Sequence, residues 1–285
     1  MSNFIYHTLT LLEDAGMHVR YPQIRHITLE EDGKSTMHSH HSLIQGRRVS
    51  IEQNPQMKFL ILFALLDFHV DSTYPGLVGK GYREKCENLP ALGDFNLILR
   101  QLYRVAKVIR NSLVHNQSSF TVTNEIVSVD YAHGKHHFVL KISHDSFTSF
   151  HTAIVMYIKG DMGKGNYFLG LMRSLYGNIM AGITQFSDEF GSVLERPSSG
   201  IKMKRSVRQV VMNPPYEICG ETLRFPIAEW ETPDWEGMDI YIVKNGEEFI
   251  IPREALDDNL SITERDLIAD WKREGHFPPI KVQQL

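Results

Sequence analysis

Residues 94–116 read DFNLILRQLYRVAKVIRNSLVHN, and the fold reading starts here. Phe95, Ile98, Leu102, Val105, Ile109 and Leu113 recur at intervals of three and four, the spacing that gathers apolar side chains on one face of a helix. Asp94 stands where a side-chain oxygen can cap the helix start. At about 100° per residue, Arg110, Asn111 and His115 fall away from the apolar stripe. Arg100, Arg104 and Lys107 also fall on the polar side, and no acid occurs between Phe95 and Asn116. Most exposed helix faces mix both signs of charge. This one is expected to present cations and a histidine, a surface that phosphates would seek.

Further helices are predicted at about 55–70, 145–159 and 166–190. Pro55 suits a helix start, where its missing N–H costs nothing. The apolar run from Met57 to Val70 is too short to span a membrane and reads as a core helix. It contains Asp67, an acid that burial would oblige to find a partner. Residues 120–131 and 136–142 are rich in β-formers around His133-Gly134, which predicts a hairpin. A possible strand lies at Ile24–Leu29 in an otherwise irregular 20–50 segment, after a short helical spacing at 4–15. Arg196–Gly200 reads as a linker. Beyond it, Asn245-Gly246 joins two β-rich runs, and Ser261-Ile262-Thr263-Glu264 has the form of a capping box opening a last helix. The basic run Lys202–Arg208 reads as an exposed linker or strand edge.

With 285 residues and a hydrophobic fraction of 42%, the chain has ample material for a core. The net charge of −4 excludes a surface that is basic throughout, so any nucleic-acid contact must be local. Two cysteines, Cys86 and Cys219, and an N-terminus without the layout of a signal peptide point to a cytoplasmic protein. There is no Walker loop, dinucleotide fingerprint, nucleophile elbow or zincin helix. The His38–His41 run has no Cys, Asp or Glu at ligand spacing close behind it. It is read as incidental, and no metal or cofactor is expected.

The run Arg110-Asn111-Ser112-Leu113-Val114-His115 resembles the signature of the HEPN superfamily: Arg, a polar residue, three further residues, then His. The resemblance covers about residues 51–190. It implies a helical bundle whose motifs from two copies line one cleft in a homodimer, and a metal-independent endoribonuclease of the toxin–antitoxin or phage-defence kind. Histidine suits a base that removes the ribose 2′-OH proton, which assigns His115. A guanidinium grips two phosphoryl oxygens as charge builds on them, which assigns Arg110. Asn111, one turn before His115, could orient the imidazole or bind substrate. Asp67 is a secondary candidate, and Arg100, Arg104 and Lys107 are candidate RNA contacts. The products would carry a 2′,3′-cyclic phosphate and a 5′-hydroxyl.

The expected architecture is therefore mainly α: residues 1–50 packed on a helical domain at 51–195 with an inserted hairpin, then a small α+β module at 196–285. Expected partners are RNA, a second copy and an antitoxin or regulatory protein, with no membrane. A bundle that binds RNA, nucleotide or a protein without cutting remains the alternative.

Overall fold

The computed structural model describes residues 9–10, 12–13, 16–17, 24–29, 35–39, 55–115, 119–123, 125–198, 200–204, 207–226 and 237–276. The chain divides into two compact units, and both are discontinuous in sequence. The first comprises Met1–Arg20, Ile44–Lys159 and Leu175–Ser198; the second comprises Tyr21–Leu43, Gly160–Ser174 and Ser199–Leu285.

In the first unit, helices α1 (Pro55–Thr73), α2 (Tyr82–Asn88), α3 (Asp94–His115) and α4 (His144–Lys159) accompany an antiparallel sheet. Its strands are β3 (Phe120–Val122), β4 (Ile126–His133), β5 (His136–Ser143) and β6 (Ile183–Ser187), hydrogen-bonded in that order. The β4–β5 hairpin pairs His133 with His136 across its turn, and Gly134 has the positive φ of 59° that such a tight turn needs. Helix α3 is the unit's axis, touching α1, α2, α4 and strands β3, β4 and β5. It is therefore buried on almost every side. Gln101, Arg104, Lys107 and Ser112 are as enclosed as Leu102 and Ile109.

Helix α5 (Asn166–Gly182) runs from the second unit into the first and gives way directly to β6. The sequence pattern predicts helix as far as 190. Pairing of Ile183–Phe186 with β5 takes over instead, and the junction is tight. A Cβ on Gly182 would lie 2.0 Å from the Ser146 hydroxyl oxygen, so a bare backbone is needed there.

The second unit holds a five-stranded mixed sheet in the order β11-β10-β7-β1-β2. Its strands are β1 (Ile24–Leu29), β2 (Ser35–Ser39), β7 (Arg208–Met212), β10 (Met238–Lys244) and β11 (Glu247–Pro252). The β1–β7 and β7–β10 pairings are parallel, and the outer two are antiparallel. A second, three-stranded sheet joins β8 (Glu217–Cys219), β9 (Thr222–Arg224) and β12 (Ser261–Thr263), followed by α6 (Glu264–Asp270). Thr263, the last residue of β12, caps α6 in place of Ser261: its hydroxyl accepts from the Asp266 N–H.

The expectation of a mainly α protein is thus overturned: three sheets and six α-helices among the described residues make a mixed α/β chain. The reason is long-range pairing. β7, the centre of the larger sheet, takes one neighbour from the start of the chain and the other from near its end, and such pairs leave no local signature. For the same reason Tyr21–Leu43 groups with the second unit and not with the helical part. Its strands β1 and β2 belong to the second unit.

Within that sheet lies a second reversal. Arg208, read as part of an exposed basic run, is fully buried. Its guanidinium donates to the Asp239 carboxylate and to Glu254 Oε1 and Oε2 at 2.8 and 2.9 Å. Tyr167 donates to the same aspartate at 2.7 Å. Burial raises the Asp239 carboxyl above its ordinary range despite the guanidinium beside it.

Candidate functional site

The C-terminal end of α3 brings Arg110, Asn111 and His115 together. Arg110 Nη1 lies 3.4 Å from His115 Nε2 and donates to Asn111 Oδ1 at 3.1 Å. Arginine has no acceptor, so this contact requires Nε2 to be the unprotonated ring nitrogen. Arg110 and Asn111 are half-buried and His115 is exposed.

Two tyrosines not singled out in the sequence complete the arrangement. The Arg110 guanidinium carbon stands 4.7 Å from the centre of the Tyr82 ring, a cation–π contact that steadies the fork. Tyr82 opens α2, whose N-cap is Gly81. Buried Tyr131 of β4 donates its hydroxyl to the Val108 carbonyl of α3 at 3.4 Å, near enough to Asn111 for the amide to act on that hydroxyl. Burial pushes the Tyr131 hydroxyl above its ordinary pKa, and the amide contact opposes that. Asn111 accepts from Arg110 and so orients the guanidinium rather than the imidazole. No local pattern in the sequence announces either tyrosine, because both arrive from other elements.

The remaining cations of α3 are placed differently. Arg104 is 5% exposed and makes a two-pronged pair with Asp188, at 3.0 and 2.8 Å, and a bond to Gln101 at 2.9 Å. Its guanidinium also lies 5.5 Å from the Phe186 and Phe190 ring centres. Lys107 is 1% exposed and pairs with Glu189. Arg100 donates to the Cys86 carbonyl at 3.1 Å. The cation-rich face of α3 is therefore not an open surface. The acids that neutralise it come from the segment following β6.

Asp67 is remote from this arrangement in its bonding. It accepts from Lys85 Nζ at 2.8 Å and from the Tyr103 hydroxyl, and Lys85 also reaches Asp71 at 2.6 Å. This is an ion-pair cluster tying α1 to α2 and α3. Cys86 offers no nucleophile, since burial pushes its thiol up to about 12.

The chain matches no protein-family model, no characterised protein and no solved structure. Among the described residues no group of three or more His, Cys, Asp or Glu side chains could hold a metal ion. No described helix is long and apolar enough to cross a membrane. The side chains of the histidine run at 38–41 lie outside the described residues.

Proposed function

We propose that the protein is a metal-independent endoribonuclease whose site is built on Arg110 and His115, as the resemblance to HEPN ribonucleases implies. The observation that supports this most is the 3.4 Å approach of Arg110 Nη1 to His115 Nε2. A phosphate oxygen inserted at that point would be held by the guanidinium while the ribose 2′-oxygen lies within reach of the imidazole.

In the reaction, Nε2 takes the 2′-OH proton as the O2′–P bond forms. The P–O5′ bond breaks, and the 5′-oxygen receives a proton from the protonated imidazole of a second copy. The 2′,3′-cyclic phosphate and 5′-hydroxyl follow from that balance. A symmetric pair of copies supplies base and acid from the same residue, which is why a homodimer belongs to the reading. Val114, adjacent to His115, is 46% exposed and gives the rim an apolar contact point for such a partner. RNA is the expected substrate, and an antitoxin or other regulator would act by covering the cleft.

The test is incubation of the protein with mixed RNA in EDTA, followed by end-group analysis. Cleavage leaving cyclic phosphates, and its loss in His115→Ala with the fold intact, is the expected result. Tight RNA binding with no cut ends would replace the enzyme by a binding module.

A further inference from the structure

The first unit contains a second site of different chemistry. A cavity of about 120 Å³ opens beside the start of α4, lined among the described residues by Met17, Leu62, Phe147, Lys58, His144 and His151, with others. Most of its wall is apolar. An apolar cavity of this order can hold one small ring, and cavities without polar groups stay dry.

This one is not wholly apolar. His151 sits among Phe59, Phe147 and Phe150, with ring centres 6.1, 4.2 and 6.2 Å away. Its Nε2 is buried and has no hydrogen-bond partner. A buried ring nitrogen without a partner is costly, and native structures seldom leave one without a reason. A water alone would need two to four polar partners. Yet the Thr148 hydroxyl, also on the wall, is already donated to the His144 carbonyl at 3.1 Å.

Lys58 and His144 add a second independent observation. Neither side chain has an acid partner among the described residues, so the described part of the cavity wall carries two basic side chains without a counter-charge. Burial disfavours a proton on His151, and His144 and Lys58 add to that. A ligand that brings its own negative charge offsets the second effect, giving the orphaned imidazole a partner and the two bases a counter-ion at once.

We propose that this cavity binds a small monocarboxylate with an apolar body of about the size of a phenyl ring, its ring among Leu62 and Phe147 and its carboxylate shared by His151, Lys58 and His144. The site is separate from Arg110 and His115 and does not depend on RNA cleavage.

Benzoate is a suitable probe, with benzyl alcohol as its uncharged match. Titration by ligand-observed NMR or calorimetry is expected to show saturable benzoate binding at least tenfold tighter than the alcohol. Lys58→Met should weaken benzoate by several-fold and leave the alcohol unchanged. His151→Leu should weaken it further while the protein stays folded by circular dichroism. Absence of saturable benzoate binding, equal binding of the alcohol, or unchanged affinity in both variants would each overturn the assignment. If His151→Leu fails to fold, the Lys58→Met result decides alone.

Discussion

Helix α3 carries two sets of cations, and the protein treats them in opposite ways. Arg104 and Lys107, in the middle of the helix, are buried and matched one to one with Asp188 and Glu189. Arg110 and His115, at its end, have among the described residues Asn111, each other and the face of Tyr82 as partners, and no acid. Charges of the first kind hold an element in place: breaking one partner strands the other in a low dielectric. A guanidinium left without an acid but held in one orientation has its donors available to an incoming anion. Residue type is the same in the two places. What distinguishes them is whether the fold supplies a counter-charge.

The largest effect that would break this contrast is Arg104→Ala. Asp188 would be left buried and unpaired, at a cost of about 3–5 kcal/mol in chemical denaturation. The double change Arg104→Met with Asp188→Leu should recover much of that loss. Arg110→Ala should do the reverse. It should shift stability by less than about 1 kcal/mol, while RNA cleavage falls by about 10²–10³, as when a preorganised donor to a developing oxyanion is removed. A large loss of stability in Arg110→Ala would place it with the structural pair.

His151 extends the comparison to a base buried with neither an acid nor a hydrogen bond. Burial takes its pKa from 6.5 to about 3, so the unfolded chain binds the proton more readily than the folded one. Stability should therefore fall as pH drops through 6.5 towards 3. Thermal melts of His151→Leu across that range should show a shallower slope than wild type, and a melting temperature at neutral pH that is no lower. The smallest effect belongs to Tyr82→Leu. Losing the ring under Arg110 removes about 0.5–1 kcal/mol, to be seen as a few-fold drop in cleavage rate with little change in RNA affinity.

Legibility in the sequence followed the range of the interactions. The periodicity of 94–116, the hairpin at His133-Gly134, the strand at Ile24–Leu29 and the Asn245-Gly246 turn each rest on neighbours a few residues apart, and each stands where the pattern puts it. The convergence of Arg110 and His115 was legible for the same reason, being set by one helix. The acids that consume the Arg104 and Lys107 charges lie 84 and 82 residues further on. A helical projection cannot see them, and so a buried face looked like an open cationic one. Arg208 fails in the same way: its partners Asp239 and Glu254 lie 31 and 46 residues away. The parallel β1–β7–β10 core, assembled from distant segments, is why a mixed α/β chain reads as mainly helical.

The phosphate pocket proposed at Arg110 and His115 has its sharpest test in the ¹⁵N ring signals of His115 during titration with a nucleoside 3′-phosphate. A saturable shift of Nε2 in the wild-type protein, lost in Arg110→Ala while the backbone spectrum stays folded, is the expected result. An Nε2 signal that does not respond, or that responds equally without the guanidinium, would contradict a common phosphate site and leave Arg110 and His115 as neighbours without a joint function.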